Sequence, residues 1–376
     1  MLLPFPMKHD FRSSISRRNF VGGLAAGAAA FSLAGRIYGQ APAGKKLGLA
    51  LCGLGNYSRG QLGPALKLTQ HCQLMGVITG SKEKGIQWAK EYGFPEKNIY
   101  HYDTMQQMRD NPDIDIVYVV TPNALHAPNT IAAAKAGKHV ICEKPMAMNA
   151  VESDTMIAAC KAADVRLSIG YRLHFEPNTQ ELKRLAKDKD FGVLMKMSGG
   201  NGFRMARKVW RADYKLSGGG PLMDMGIYSV QAACMAAGDA TCVAVTAKEH
   251  PKTRPEIFSD VEEGLDYTLE FSNGAKAELV TTYNASIGKF RAEGDKGWIA
   301  LEPAHSYRGI KAVTSRGPLE VRQIESQQAL QMDDFSLCVR EKRESIVGAA
   351  MGRRDMLIVD AIYEAAKTGQ RTRVKA

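Results

Sequence analysis

The sequence predicts an α/β protein in two parts: a doubly wound parallel sheet, then an α/β domain built on a large, mostly antiparallel open sheet. In the first half, short apolar runs alternate with amphipathic stretches of helical length, the pattern of a parallel sheet covered on both faces. A glycine-rich turn directly follows the first of those runs. From about Gly192 the texture changes to alternating strands with hairpin signals. At 376 residues the chain exceeds what one core usually holds, which agrees with two domains.

Ahead of the first strand, "SISRRNFVGG" places Arg17 and Arg18 between Ser16 and Phe20, and Val21 to Gly35 form a short Gly/Ala-rich apolar run. A basic stretch, a weakly hydrophobic stretch and small residues at "QAPAG" together read as a twin-arginine signal over 1–43, with cleavage after Ala43. A membrane anchor needs about 20 strongly apolar residues, so no stable anchor is expected. The expected partner is the twin-arginine export machinery, and the expected location is the periplasm. The chain holds 50 Lys and Arg against 39 Asp and Glu, a net +11, of which the leader supplies four charges. No run of five like charges and no Arg-rich helix occurs, which argues against a nucleic-acid partner. The seven cysteines form no Cys-x-x-Cys pair and no metal spacing with histidine, so free thiols and no metal site are expected.

After Lys46 the chain runs "LGLALCGLGNYSRG": an apolar strand, then Gly53, Leu54, Gly55, Asn56 and Tyr57, then Ser58 and a helix. The first glycine makes the turn and the second lets backbone N–H groups approach a pyrophosphate, which the following helix N-terminus favours. This is a dinucleotide-binding arrangement of Rossmann type. The second strand, about Gln73 to Thr79, ends in Thr79-Gly80-Ser81-Lys82, where an NAD site would place a carboxylate for the ribose. Small hydroxyls and a nearby cation suit a 2′-phosphate, so NADP is expected over NAD, with Thr79, Ser81 and Lys84 as contacts. The alternative is that Lys82 and Lys84 are solvated lysines at a helix start. Two further strands, in "DIDIVYVVTPN" and "HVICEKP", end at Thr121, Pro122 and Asn123 and at Glu143, Lys144 and Pro145. Those are the carboxyl ends where such sheets bind ligands.

The stretches "GLGNY", "TPNALH", "KAGKHVICEKPMA", "GYRLHFEP", "WRADYKLSGGGPLMDMGIYSV" and "AIYEAAKTGQ" together resemble the glucose-fructose oxidoreductase, inositol dehydrogenase and rhizopine-catabolism (Gfo/Idh/MocA) family, most closely its glucose-fructose oxidoreductase branch. The resemblance implies an NADP-binding Rossmann domain over 44–175, a C-terminal α/β substrate and oligomer domain over 176–330, and C-terminal helices over 331–376. It also implies a homo-oligomer. Almost no chain remains between the cleavage point and Lys45, so the long N-terminal arm of that branch is not expected, and a dimer is favoured over a tetramer.

By the same resemblance Lys144 is a catalytic-site lysine, and an ammonium at a strand end can hydrogen-bond a reacting sugar oxygen. Asp224 and Tyr228 are four apart, on one face of a helix that follows three glycines. The family commonly has histidine where this chain has Tyr228, and a phenol needs adjacent positive charge to act as a base. Tyr228 is the candidate general acid/base, and Asp224 orients a sugar hydroxyl. Tyr171 and Arg172 end the strand "VRLSIGYR" and are expected in the same cleft, Arg172 as a clamp. Trp210 and Arg211 match a pair that covers the cofactor, by stacking and by phosphate contact; the alternative is a buried Trp beside a surface Arg. His126 is expected to position rather than to ligate, and Tyr100 to touch the adenine end.

An exported enzyme meets no pool of reduced cofactor. Keeping a nucleotide for hours requires a dissociation constant of about 10⁻¹⁰ M or below, and export after folding permits loading first. The sequence therefore predicts tightly bound NADP, reduced by one sugar as a cyclic aldose becomes a lactone, and reoxidised by a second sugar carbonyl. Two other readings stay open: a nicotinamide-dependent glycosidase acting by transient oxidation at the sugar C3, and a non-catalytic sugar-binding or regulatory relative.

Overall fold

The computed structural model describes residues 45–375, and the expected signal over 1–43 lies outside the described residues. The apolar runs of the first half form β1 (Leu47–Cys52), β2 (Cys72–Ile78), β3 (Ile99–Tyr100), β4 (Ile116–Val119), β5 (His139–Cys142) and β6 (Leu167–Ile169). All pair in parallel, in the order β3-β2-β1-β4-β5-β6. Every residue of β4 and nearly every residue of β1 and β5 is buried, because helices cover both faces, which is why these strands read as unbroken apolar runs. On one face Trp88 and Ala89 of the helix Lys82–Tyr92 pack on Leu49, Leu51 and Val77. On the other, Ala133 and Ala134 of the helix His126–Lys135 join Val117, Val119 and Val140. The order reverses between β1 and β4, and the carboxyl ends at that reversal form the crevice of such sheets.

The second half builds a nine-stranded sheet: β7 (Leu194–Gly202), β8 (Cys242–Glu249), β9 (Gly264–Phe271), β10 (Lys276–Thr282), β11 (Ile287–Gly294), β12 (Trp298–Leu301), β13 (Ala312–Thr314), β14 (Gly317–Pro318) and β15 (Thr372–Arg373). Its order is β14-β13-β12-β11-β7-β10-β9-β8-β15, antiparallel except where β10 joins β7. The expected hairpin after Phe271 joins β9 to β10: Gly274 takes a φ of 86°, and the Asn273 Oδ1 accepts from the Ala275 N–H at 3.1 Å. The helix Ile227–Ala237 is buried along its whole length and apolar all round, as a helix sunk in a core must be.

The last two helices are not an appendage. The helix Gln327–Glu341 returns to the first sheet, where Met332, Phe335 and Cys338 pack with Leu49, Leu51 and Trp88. The Asp333 carboxylate accepts there from the Gln70 and His71 N–H groups at 2.9 and 2.7 Å. The helix Ala349–Thr368 closes at Gly369, whose φ is 68°.

One buried carboxylate sets the glycine loop before Asp224. Glu262 accepts from the Gly220 N–H at 2.8 Å, the Leu222 N–H at 3.1 Å and the Tyr363 hydroxyl at 3.0 Å. A Cβ on Gly220 would lie 2.2 Å from the Glu262 carbonyl oxygen, so the loop needs glycine there. Replacing Glu262 with Leu strands three donors, and we expect a stability loss of about 3 kcal/mol, read as a lower denaturant midpoint at unchanged slope. Glu262→Gln keeps an acceptor and should lose less; equal losses for the two variants would refute the role.

Candidate functional site

The carboxyl ends of β1, β4, β5 and β6 face the turn Leu222–Gly226 and the loop between β12 and β13 across a cleft of about 530 Å³. That volume is in the range of small-molecule sites. A shallower depression of about 420 Å³ on the second sheet, around Thr268 and Glu278, shares no lining residue with it.

Lys144, Asp224 and Tyr228 meet in this cleft from the two halves of the chain. The Lys144 ammonium donates to the Asp224 carbonyl oxygen at 2.6 Å and stands 3.6 Å from its Oδ1. Arg211 Nε reaches Asp224 Oδ2 at 3.1 Å, and the Tyr283 hydroxyl donates to that oxygen, also at 3.1 Å. Burial pushes the Asp224 carboxyl up, but Arg211 and then Lys144 outweigh it and hold the group below its usual value. Asp224 is therefore a fixed anion. It lies in a π-type turn rather than a regular helix, and Tyr228 follows in the first turn of the helix Ile227–Ala237, so both still line the cleft. Tyr228 is 8 % exposed, with Lys144 Nζ 4.5 Å and the Arg172 guanidinium 4.9 Å from its ring centre.

Arg172 is buried between the rings of Tyr228 and Tyr307. Its Nη2 donates to the His305 carbonyl oxygen at 2.6 Å and its Nη1 to that of Ser306 at 3.0 Å, and it also bonds Gln327. It thus clamps a loop of the second half onto the end of β6. His126 bridges the strand ends β4 and β5: its ring nitrogens lie 2.8 Å from the Pro145 and 2.9 Å from the Thr121 carbonyl oxygens, and burial pushes the imidazole down to about 4. Pro122 opens the short helix Asn123–Leu125, and Asn123 donates to the Ser217 carbonyl oxygen at 2.8 Å. Glu143, raised by burial, accepts from the Tyr118 hydroxyl at 2.6 Å.

A nicotinamide dinucleotide fits the residues around the first turn. Gly53 takes a φ of 108°, the Ser58 hydroxyl donates to its carbonyl oxygen at 2.7 Å, and a Cβ on Gly55 would meet nothing within 4 Å. Leu54 packs under the turn, Asn56 is exposed, and the buried Tyr57 hydroxyl, at the cleft, has no partner among the described residues. At the end of β2, Thr79 Oγ1 accepts from the Ser81 N–H at 3.2 Å, and Ser81 Oγ accepts from the Lys84 N–H at 3.3 Å. The Lys84 side chain is exposed, while Glu83, a carboxylate on the same turn that the sequence reading passed over, accepts from the Ser81 hydroxyl at 2.9 Å. Trp210 and Arg211 line the cleft together, with the guanidinium 4.5 Å over the indole.

Two expected residues lie elsewhere. Tyr171 is buried away from the cleft, because the side chain of the next residue, Arg172, takes the cleft side; burial and the nearby Asp355 raise its phenol. Tyr100 packs with Met105 and Met108, and its hydroxyl accepts from Asn111 at 2.7 Å. Conversely, Tyr283, His305, Ser306 and Tyr307 belong to the site without having been foreseen. They lie after strands of the second sheet and carry no motif; the polar run "HSYR" interrupting two apolar strands was the one available signal.

Comparisons with known proteins agree with this architecture. Residues 47–171 match the model of an oxidoreductase family with an NAD-binding Rossmann fold, and residues 179–300 match the C-terminal domain model of the same family. The aldose-aldose oxidoreductase from Caulobacter crescentus, solved with glycerol, is 39% identical, with a TM-score of 0.85 over 88% of this chain and 100% of that one. The D-xylose 1-dehydrogenase [NADP(+)] of Haloarcula marismortui is 28% identical over 86% of this chain and 92% of its own. The D-glucoside 3-dehydrogenase of Escherichia coli is 28% identical over 83% and 94% respectively. The chain belongs to the Gfo/Idh/MocA family of oxidoreductases.

Proposed function

We propose that this protein is an exported, dimeric sugar oxidoreductase that keeps NADP through turnover, oxidising a cyclic aldose at C1 to its lactone and reducing the carbonyl of a second sugar in a separate half-reaction. The observation that carries the reading is the meeting of Lys144, Asp224 and Tyr228 at the carboxyl edge of the dinucleotide sheet. The similarity to an aldose-aldose oxidoreductase supports the pairing of two sugars. The small hydroxyls of Thr79 and Ser81 support NADP, with Glu83 as the opposing consideration.

When bound, the nicotinamide supplies hydride uptake from one sugar and its return to the other. Tyr228 takes the proton of the sugar hydroxyl and gives it back, and the flanking Lys144 and Arg172 charges stabilise the negative charge that develops on the phenol oxygen. Lys144 spends one N–H on the Asp224 carbonyl and has others for the reacting sugar oxygen. The Asp224 carboxylate holds Arg211 and Lys144 in place and accepts from a substrate hydroxyl. The relation to a D-glucoside 3-dehydrogenase favours a second reading, oxidation at C3, which also serves a glycosidase.

Protein purified without added nucleotide should carry NADP, lose the oxidised form on addition of an aldose and recover it on addition of a second sugar. A lactone product supports the first reading and a 3-keto sugar or released aglycone the second. Protein that arrives empty and consumes soluble nucleotide would overturn retention. Tyr228→Phe should keep the nucleotide and lower the rate of its reduction by about 10²–10⁴; near-normal turnover would remove Tyr228 from its role. Because Asp224 is held below its usual value near 3.9, its contribution to stability is present above that pH and lost as pH falls through its folded value. Asp224→Asn should therefore be less stable than the parent at about pH 6, with the deficit shrinking below about pH 4, measured by thermal unfolding across that range.

A further inference from the structure

We propose that His305 is a specificity-determining residue of the cleft, its imidazole holding a sugar hydroxyl away from the reacting carbon, so that the site takes a polyhydroxylated ring rather than a simple alcohol. The inference rests on the sugar oxidoreductase reading above and names what recognises the sugar. His305 lies in the loop between β12 and β13, whose Tyr307 ring stands 6.1 Å from that of Tyr57. It lines the cleft and is only 8 % exposed, yet neither of its ring nitrogens has a hydrogen-bond partner among the described residues. A buried donor and a buried acceptor left unmet are costly, and folded proteins seldom keep both on one side chain without a ligand or an ordered water to meet them.

The chemistry of the ring narrows the ligand. Burial, with the Arg172 charge adding to it, pushes the imidazole down to about 3, so the ring is neutral and offers one N–H donor and one lone pair. A hydroxyl can meet either nitrogen, donating to the lone pair or accepting from the N–H, and a ring bearing several can meet both; a fully ionised carboxylate or phosphate could only accept. The loop holds its place against that demand. Arg172 grips the His305 and Ser306 carbonyl oxygens, Gln327 Nε2 donates to the Ser306 carbonyl oxygen at 3.1 Å, and the Tyr307 ring lies 4.3 Å from the Arg172 guanidinium. The imidazole is fixed 6.0 Å from the Tyr228 ring centre, tilted by 41°. A sugar that meets Tyr228 with one oxygen therefore brings its other hydroxyls past His305.

The test compares the nucleotide-loaded parent with His305→Leu and His305→Gln on one turned-over sugar and on its monodeoxy analogues, each lacking a single hydroxyl. The parent should lose about tenfold in kcat/KM on one analogue. His305→Leu should lose a similar factor on the full sugar, mostly through KM, and nothing further on that analogue. His305→Gln, which keeps a donor and an acceptor, should recover part of the discrimination, and it carries the comparison alone if the Leu variant does not fold. Bound nucleotide should be the same in all three. Equal losses on every analogue, unchanged discrimination in the variants, or loss of nucleotide with discrimination intact would each overturn the proposal while leaving the parent's sugar turnover, and hence the broader reading, in place. A parent that oxidises no sugar would sink both.

Discussion

A largely buried carboxylate, held charged, ties the two halves of the chain together at this cleft. Asp224 stands at the seam between the two halves of the chain, and an anion there is tolerable only because Arg211, Lys144 and Tyr283 all address it. Each partner comes from a different element: the end of β5, the segment before the glycine loop and the end of β10. The ionic group therefore does more than neutralise charge. It links the end of β5 to the turn Leu222–Gly226, and it leaves the Lys144 ammonium beside the Tyr228 ring rather than free in solvent.

A second tie works through the backbone. Arg172, at the end of β6, makes its polar contacts to two carbonyl oxygens and one glutamine rather than to an acid, so its charge remains available to the tyrosines it stacks against. The helix Gln327–Glu341 supplies that glutamine while packing on the first sheet, and Gln331 of the same helix donates to the Tyr118 hydroxyl at 2.7 Å, which in turn serves Glu143. Chain from the C-terminal end thus supports the site from beneath the dinucleotide domain. Removing that helix would strip partners from Arg172, Tyr118 and the N–H groups of Gln70 and His71 together.

The parallel sheet was legible because strands buried on both faces leave a simple trace, and the carboxyl-end rule then gathers residues far apart in sequence. Thr121, Asn123, Glu143, Lys144 and Arg172 could be grouped by that rule alone, and all line the cleft. Asp224 and Tyr228 were visible through the glycines before them and through the family resemblance. The rule fails for neighbours: Tyr171 and Arg172 share a strand end, yet their side chains take opposite sides, and only one serves the site. Ser81, expected at the cofactor, also caps the helix Lys82–Tyr92, its hydroxyl oxygen accepting from the Lys84 N–H. His305 and Tyr283 were out of reach because nothing local distinguishes them; their importance comes from partners more than fifty residues away.

Unmet polar groups in the cleft come from both halves of the chain, which the charged cluster alone does not explain. Tyr57, with its unmet hydroxyl, rises from the glycine turn on the dinucleotide side, and His305, with two unmet nitrogens, stands on the loop of the second half. The Tyr57 ring stands 6.1 Å from that of Tyr307 in the same loop, and the cations and the phenol line the same cleft. Both sides are neutral where they wait: a phenol on one and an imidazole pushed far below its usual range on the other. Hydrogen bonds made to these two groups therefore draw on no net charge of their own, and the cations of the cleft stand beside Tyr228.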